Sequence, residues 1–393
     1  GMGYYNTVTP NVVLRNILEN PGWYTSYTPY QPEVAQGRLE MLINFQQMIM
    51  DLTGMDIANA SLLDEGTAAA EAVGLCQRVD KSNSKKIFVS SSCNPQTIDI
   101  IKTRVEPFNI ELIIGDEEKI LKSVKDKIIC GVLAYPGTLG EIKDPSEAIS
   151  LIHKKEGKVI MVSDLLSLAR LKTPAELGAD IAVGSAQRFG IPMGYGGPHA
   201  AFFAISDKHK RKIPGRIVGQ SKDSQGNPAL RLALQTREQH IRRDKATSNI
   251  CTAQALLANM AGFYAAYHGA KGLKVIARRI RLLRQTLVCL LKWNGFEVDD
   301  TEGFDTVRWK TNKLVTGYNV HYEDGYVTLS LDELSDFDTL FDIINSQKDY
   351  TAHKDTIIQA WDYIVDYKWM GIPERTKPWL QQEVFNNYQS ETN

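Results

Sequence analysis

A pair of residues at the start of an alanine-rich segment has the types that bind phosphate. Gly66 and Thr67 lead into the run Ala68–Ala70, which predicts a helix. The N-terminus of such a helix offers backbone N–H groups and a hydroxyl, and anions bind readily there. Ordinary helices also begin with Asp, Gly or Thr as caps. The sequence therefore leaves a phosphate site and a simple helix start as alternatives.

A carboxylate follows one of the apolar stretches. Asp164 comes directly after Val159–Ser163, which predicts a buried strand. Because open α/β sheets bind ligands at the carboxyl ends of their strands, Asp164 is a candidate binding residue. The alternative is that Asp164 caps the turn Leu165–Ala169.

Two later segments are also candidates. Residues 184–199 are rich in glycine, which indicates unusual backbone angles or the close approach of another group. Residues 234–249 form the densest polar segment, and their basic side chains suit an anionic substrate or a subunit interface. A solvated helical face is the alternative for this second segment. Its notable polar residues are Thr236, Arg237, His240, Lys245 and Asn249.

Composition excludes several classes of protein. The 393 residues include 45 Lys and Arg against 46 Asp and Glu, so a net charge of -1 gives no field that would attract nucleic acid. No apolar run approaches the roughly 20 residues that span a bilayer, so we expect no membrane segment. The five cysteines form no CxxC and the histidines no HExxH, which argues against a metal site. The cysteines are expected to be free thiols in a reducing compartment.

Short β-branched runs alternate with helical stretches through the first half of the chain. Runs of this length separated by 10–15 helical residues indicate a mostly parallel sheet with helices on its faces. The predicted strands are 86–90, 110–114, 129–135, 158–163, 180–184 and 200–205, with helices at 95–106 and 144–156. Residues 248–292 predict a long helix interrupted near His268–Gly272. Strands at 304–310 and 326–331 and a helix at 336–346 predict a small α+β domain.

These segments, taken together, resemble the N-terminal half of the glycine cleavage system P-protein family. The resemblance covers nearly the whole chain and is weaker through 80–130 and 300–350. The segments that carry it are Gly3–Tyr5, Glu19–Tyr24, Tyr27–Glu33, Gln36–Glu40, Asn59–Glu71, Gly178–Ala201, Pro214–Gly219 and Ala233–Ala258. The resemblance implies a fold-type-I, aspartate-aminotransferase-like α/β fold with a mostly parallel central sheet. The domains expected from it are an N-terminal helical arm (1–55), a large α/β domain (56–292), a small α+β domain (293–350), and a C-terminal helix with a connector arm (351–393).

The resemblance also implies a degenerate cofactor site. In the family, pyridoxal phosphate is bound by a lysine in the C-terminal half, and here Gln187 stands at the corresponding position. An amide cannot form a Schiff base, so we expect no covalent pyridoxal phosphate on this chain. Asn94 replaces an imidazole found in many relatives, whereas Asp164 matches the carboxylate facing the pyridinium and Gly66-Thr67 the phosphate turn. A displaced lysine, with Lys172 and Lys245 as candidates, is a less favoured alternative.

The resemblance implies that the chain contributes structure, an interface and substrate-site residues to a half that bears the cofactor. That partner half would decarboxylate glycine and pass the aminomethyl group to the lipoyl H-protein. Residues expected at the junction are Tyr27, Tyr30, Gln31, Gly196, His199, Arg237, His240 and Lys245. The alternative is an inactive P-protein-like regulatory protein that pairs with itself or with an intact P-protein.

Three further expectations stay open at the sequence level. The chain begins at Gly1 and its tail resembles a connector into a catalytic half, so it could be a piece of a fused enzyme or a short protein that stands alone. A homo- or hetero-oligomer is expected. The compartment would be the bacterial cytoplasm or the mitochondrial matrix.

Overall fold

A computed structural model describes residues 1–25, 27–197, 199–235, 238–246, 248–250, 252–299, 301–347, 353–364, 372 and 374–393, and for His240 the backbone alone. The strands are β1 (Ile57–Ala58), β2 (Lys86–Ser90), β3 (Glu111–Gly115), β4 (Cys130–Tyr135), β5 (Lys158–Ser163), β6 (Ile181–Ser185), β7 (Ala201–Ile205), β8 (Ile217–Lys222), β9 (Pro228–Ala233), β10 (Thr306–Lys310), β11 (His321–Glu323) and β12 (Tyr326–Ser330). The α-helices are α1 (Asn11–Val13), α2 (Pro21–Tyr24), α3 (Gln36–Thr53), α4 (Glu65–Val79), α5 (Pro95–Val105), α6 (Glu117–Ser123), α7 (Ser146–Lys154), α8 (Pro174–Leu177), α9 (Gln239–Arg242), α10 (Ala255–Trp293), α11 (Phe337–Ser346) and α12 (Lys354–Ile364).

A seven-stranded sheet in the order β1-β7-β6-β5-β4-β2-β3 forms the centre of the molecule. Strands β3, β2, β4, β5 and β6 are parallel, while β7 and β1 are antiparallel to their neighbours. The mostly parallel sheet expected from the sequence is therefore confirmed. The central strands are buried on both faces, which explains why they are continuous apolar runs.

The predicted strand positions agree closely with the structure. Strands 86–90 and 158–163 have the predicted bounds, and those predicted at 110–114, 129–135, 180–184 and 200–205 are shifted or shortened by one residue. The β8–β9 hairpin was not predicted from the sequence, because many of its residues are exposed or half-buried and their burial does not alternate regularly.

A smaller unit packs around the three-stranded antiparallel sheet β10-β12-β11. Trp309 is the largest side chain of its core, and the second part of α10 contributes Leu287 and Leu291 to the same cluster. Helices α11 and α12 cover this sheet with Leu340 and Ile357. The small unit therefore takes part of its core from the long helix that links it to the central sheet.

Helix α3, placed by the sequence in an N-terminal arm, packs into the main core. Leu39, Phe45 and Leu52 are fully buried there. The helix ends at Thr53 because Gly54 adopts the left-handed conformation, φ 72°, that closes a helix without a Cβ penalty. The arm is thus part of the large unit's core rather than a free extension.

The C-terminal tail also lies on this chain's own core, whereas the sequence suggested a linker or an arm for a partner. Trp379, Leu380 and Phe385 are buried in the main cluster. Arg375 donates hydrogen bonds to the backbone oxygens of Asp51 and Leu52, at the end of α3. Trp369, within the predicted helix and connector arm at 351–393, lies outside the described residues.

Helix α10 contains the interruption that the sequence predicts. Gly269 has φ 59° and ψ -179°, a conformation that only glycine adopts readily. Phe385 and Gln389 of the tail lie so close to Gly269 that a Cβ there would meet them at 2.7 and 2.6 Å. No described helix has the length and apolarity needed to cross a membrane.

Candidate functional site

A small cavity lies at the carboxyl edge of β4, β5 and β6, where open α/β sheets bind ligands. Its volume is about 50 Å³, far below the roughly 300 Å³ at which ligand pockets begin. The side chains that line it include Tyr5, Glu65, Asn94, Ser163, Asp164, Arg188 and Asp305. The predicted residue Asp164 thus lies at the predicted edge, in a space that other side chains largely fill.

Asp164 has the cap role that the sequence offered as one alternative, and it also faces the cavity, whereas a ligand-binding role for it stays a prediction. Its Oδ1 accepts hydrogen bonds from the backbone N–H groups of Leu166 (2.7 Å) and Ser167 (3.1 Å), so it caps the following turn. Its Oδ2 forms an ion pair with Nη1 of Arg188. The carboxylate therefore faces the cavity, but a guanidinium of the same chain already neutralises it.

Arg188 is the central residue of the cavity. Its second terminal nitrogen lies 2.6 Å from Oδ2 of Asp305, and its guanidinium stacks 3.5 Å above the ring centre of Tyr5. Only 4% of Arg188 is exposed. Burial opposes its charge, but Asp164 and Asp305 outweigh that effect, and the pKa of Arg188 is raised above its ordinary value.

Gln187 lies beside the cavity, fully buried and fully hydrogen-bonded. Its Nε2 donates to the backbone oxygens of Tyr5 and Ile191, both at 2.7 Å. Its Oε1 accepts the backbone N–H of Tyr5 at 3.0 Å. The amide of Gln187 thus acts as donor and acceptor at the same time. A lysine ammonium has no acceptor, so it could not bind the backbone N–H of Tyr5.

Pyridoxal phosphate does not fit the site as these residues build it. Arg188 occupies the face of Asp164 on which a ring nitrogen would lie, and the remaining volume holds a few waters rather than a substituted pyridine. The side chain at position 187 cannot form a Schiff base. Neither Lys172 nor Lys245 is among the described residues that line the cavity.

The start of α4 is a capped helix terminus packed against its neighbour. Asp64 accepts the N–H of Thr67 at 2.8 Å, so this donor is already occupied. A Cβ on Gly66 would meet Ile100 of α5 at 2.4 Å, so the glycine permits the close approach of two helices. The cap alternative accounts for both residues, and a phosphate role for them stays a prediction.

Glu65, next to this cap, was not identified from the sequence. Its Oε1 accepts hydrogen bonds from Asn94 (3.0 Å) and Thr97 (2.8 Å). Burial, more than the neighbouring charge of Asp164, raises the pKa of Glu65. Asn94, which the sequence marks as the replacement for an imidazole, thus positions a buried carboxyl.

A second group of predicted residues lies on an exposed surface. Tyr27 and Tyr30 have ring centres 6.2 Å apart and are 62% and 47% exposed, and Gln31 beside them is exposed. The hydroxyl of Tyr30 accepts a hydrogen bond from Arg216 at 3.1 Å, and Arg216 in turn pairs with the buried Glu238. The structure therefore anchors one predicted tyrosine on an ion pair that sequence reasoning missed.

The glycine-rich segment carries an exposed aromatic residue and a buried imidazole. Tyr195, in a 3-10 turn with Gly196, is completely exposed and has φ 57°. His199 is buried against the ring of Tyr4 at 5.3 Å, and neither of its ring nitrogens has a hydrogen-bond partner among the described residues. Burial lowers the pKa of His199.

The basic segment lies partly outside the described residues. Thr236 and Arg237 are not described, and of His240 only the backbone is. Lys245 lies in an exposed 3-10 turn. No group of three or more His, Cys, Asp or Glu within the described part is placed to hold a metal ion.

The cavity residues that sequence reasoning missed share one property. Tyr5, Arg188 and Asp305 come from three distant segments and meet only in the folded chain. One local signal exists for Arg188, because it is the one charged residue in the sequence between Ile181 and Pro198. A charged residue placed in such a segment indicates a buried ion pair, although it does not identify the partners.

Comparison with known proteins gives a consistent family. A family model described as the glycine cleavage system P-protein matches residues 1–346. The whole chain aligns with the glycine dehydrogenase (decarboxylating) of Pelagibacter ubique at 60% identity, and the alignment covers 41% of that protein. It also aligns with the mitochondrial glycine dehydrogenase (decarboxylating) of Pisum sativum at 52% identity, and this alignment covers 38% of that protein. The chain thus spans about two fifths of the length of these curated relatives.

Solved structures agree with this match. A crystal structure of glycine decarboxylase (P-protein) of the glycine cleavage system, in inhibitor-bound form, is 30% identical, with a TM-score of 0.81 over 91% of this chain and 84% of that one. The apo structure of the cysteine desulfurase from Thermococcus onnurineus NA1, 13% identical, has a TM-score of 0.61 over 86% of this chain and 91% of that one. The second likeness shows the fold alone, which is that of fold-type-I enzymes dependent on pyridoxal phosphate.

Proposed function

Because this chain belongs to the glycine cleavage system P-protein family, we propose that it is the half of a glycine decarboxylase that carries no cofactor. It corresponds to the N-terminal part and pairs with a half that binds pyridoxal phosphate. The partner half decarboxylates glycine and transfers the aminomethyl group to the lipoyl H-protein. When bound to that half, the cofactor supplies the electron sink, and this chain supplies interface and orientation.

The observation that carries the proposal is the filled cavity in a chain of this family. Gln187 lies beside the strand ends, bound to backbone atoms, and Arg188 fills the space there through ion pairs with Asp164 and Asp305. A half built in this way has no place for a second cofactor. Its contribution to catalysis therefore has to lie on a surface that meets the other half.

The exposed tyrosines and the glycine-rich loop are the residues assigned to that surface. Tyr27, Tyr30 and Tyr195 expose large apolar rings, which are the side chains that anchor interfaces most strongly. Gln31, Gly196 and His199 lie in the same two segments. At the junction between the two halves, the polar atoms of these residues would face the substrate or groups of the partner half.

The basic segment supplies the charge that an anionic site needs. The carboxylate of glycine and the phosphate of a cofactor both require cationic side chains or N–H donors. Lys245 is exposed, and the sequence places Arg237 and His240 in the same run. We assign these residues to the rim of the site on the partner half.

The proposal is tested by reconstitution. The chain and a C-terminal part of the P-protein family, which binds pyridoxal phosphate, are purified separately, and glycine decarboxylation is followed with lipoyl H-protein. We expect a stable heteromer on size-exclusion chromatography, and activity only when both parts are present. Borohydride reduction with peptide mapping should locate the cofactor on the C-terminal part alone.

Two results would contradict the proposal. A cofactor covalently bound to a lysine of this chain would show an active site here. A heteromer without activity would instead favour the regulatory alternative, in which the chain binds a P-protein and does not complete it.

A further inference from the structure

We propose that Arg188, Asp164 and Asp305 form an internal latch that holds the small unit permanently closed on the central sheet. In this latch a guanidinium of the chain occupies the space at the strand ends that a ligand would otherwise take. The misfit of pyridoxal phosphate is then a consequence of the latch. The closed arrangement needs no ligand to maintain it.

The contacts of Arg188 connect the two units. Asp164 belongs to the central sheet, where it follows β5. Asp305 directly precedes β10 of the small sheet, and the backbone oxygen of Leu331, just after β12, accepts a hydrogen bond from Nη2 of Arg188 at 3.4 Å. The ring of Phe304 lies 5.2 Å from the guanidinium. One side chain thus joins the end of the large sheet to two strands of the small one.

The two carboxylates and the guanidinium of the latch are buried together. The side chains of Arg188 and Asp305 are each 4% exposed and that of Asp164 is 15% exposed, so water contributes little to their solvation. Asp305 also accepts the hydroxyl of Thr306 at 2.8 Å. Both buried carboxylates depend on the one guanidinium of Arg188, so the three side chains act as a unit.

The N-terminal segment reinforces the same joint. On the side of the large unit, the hydroxyls of Thr7 and Thr9 donate to the backbone oxygens of Arg188 (3.1 Å) and Gly190 (2.8 Å). On the side of the small unit, Asn6 donates its backbone N–H and its side-chain Nδ2 to Asp332, both at 2.9 Å. The segment therefore runs along the joint and is bound to both edges.

The sharpest test is Asp305→Asn in the intact protein, followed by hydrogen exchange of peptides. This change removes the carboxylate on the small unit and leaves Arg188 paired with Asp164, so no unpaired charge is created. We expect exchange in β10 and β12 to rise by about tenfold or more, while β4 and β5 keep their protection. Adding pyridoxal phosphate should not alter exchange in these strands of the unmodified chain.

The matched control is Arg104→Gln. Arg104 pairs with the buried Glu71, and both residues lie on helices of the large unit, so this ion pair does not cross the joint. We expect no change in β10 or β12 from the control. A second variant, Arg188→Lys, keeps the charge but loses the planar stacking on Tyr5 and the ability to bind Asp164 and Asp305 at the same time. Hydrogen exchange in β10 and β12 should rise less in this variant than in Asp305→Asn.

Two outcomes would overturn the latch. The first is unchanged exchange in β10 and β12 of both Asp305→Asn and Arg188→Lys. The second is an equal rise in β4 and β5, which would show a loss of global stability and not an opening of the joint. Because the latch lies within this chain, its failure would leave the proposed pairing with a catalytic half untouched.

Discussion

At the scale of single residues, buried polar side chains fill the site by satisfying one another. Gln187 and Arg188 are adjacent in sequence, yet the first binds backbone atoms and the second binds carboxylates. These partners offset much of the cost of burying the two side chains, and of the polar side-chain atoms of Arg188 only Nε lacks a hydrogen-bond partner among the described residues. The absence of a cofactor that we propose for this half therefore depends on two neighbouring side chains and not on position 187 alone.

Restoring the lysine should not restore a cofactor site. In Gln187→Lys the ammonium loses the acceptor for the N–H of Tyr5, and Arg188 still fills the cavity. We expect a loss of roughly 3 kcal/mol of unfolding free energy and no covalent pyridoxal phosphate after borohydride reduction. The exposed Gln220→Lys should change stability by less than about 0.5 kcal/mol. A modified Lys at position 187 would show that Arg188 and Tyr5 do not block the pocket.

A second residue-scale prediction concerns pH. Burial lowers the pKa of His268 from 6.5 to about 4, so the native state favours the neutral ring. The unfolded chain binds the proton first, and the stabilising contribution of the neutral ring is lost as pH falls from 6.5 to about 4. Up to roughly 3 kcal/mol of unfolding free energy is at stake in that window.

The variant His268→Phe isolates this effect. It keeps a ring beside Tyr264, whose centre lies 4.4 Å away, and removes the proton site. We expect its denaturant-unfolding free energy to fall less than that of the unmodified protein between pH 6.5 and 4. His321→Gln, at an exposed position on β11, should follow the unmodified protein. Parallel curves for all three proteins would refute the assignment.

At the scale of elements, the two halves of α10 connect the central sheet to the small unit. The helix packs on both cores, because its residues up to Ile280 join the main cluster and those from Leu283 onward join the cluster of the small unit. The tail residue Phe385 is buried against the break. Helix, break and tail therefore form one packing unit, although 116 positions separate Gly269 from Phe385 in sequence.

Gly269→Ala should be strongly destabilising. The backbone conformation there costs a non-glycine residue about 1–3 kcal/mol, and a Cβ would also displace Phe385 and Gln389. We expect a loss of about 3 kcal/mol or more, measured by denaturant unfolding. Gly37→Ala in α3, where nothing lies within 4 Å of the added Cβ, should be neutral or stabilising by about 0.5–1 kcal/mol. Equal effects of the two changes would show that the break is not required.

At the scale of the whole molecule, the exposed loop of Tyr195 should affect binding to the catalytic half and the stability of this chain in opposite ways. Tyr195 holds a left-handed conformation that is unfavourable for a residue with a Cβ, and its ring contributes nothing to the core. A strained, exposed aromatic residue is explained if its ring packs on another half of the enzyme. Strain of this kind is found at functional positions in many proteins.

Tyr195→Gly should therefore change the two properties in opposite directions. Glycine relieves the strain and raises the unfolding free energy by about 0.5–1 kcal/mol. Loss of the ring should weaken binding to the catalytic half on the order of tenfold or more, measured by calorimetry or sedimentation. Asp324→Gly, at φ 51° in the β11–β12 turn, relieves similar strain and should leave binding unchanged. Unaltered affinity in Tyr195→Gly would remove this loop from the interface.

The sequence by itself determined the central sheet, the break in α10 and the family. Buried parallel strands are continuous apolar runs, and Gly269 lies in the HGAKG segment at which the sequence predicts the interruption. That residue 187 is a glutamine, which cannot form a Schiff base, was equally readable, because it is a property of one position. These features depend on local patterns or on single residues.

The tertiary structure alone decided what fills the site and where the tail lies. Tyr5 meets Gln187 across 182 positions, and Arg188 reaches Leu331 across 143. The tail lacks a hydrophobic period, yet it buries Trp379 and Phe385 in the main core. Such contacts depend on how separate elements pack, and the local spacing of residue types does not encode which distant side chains will face each other.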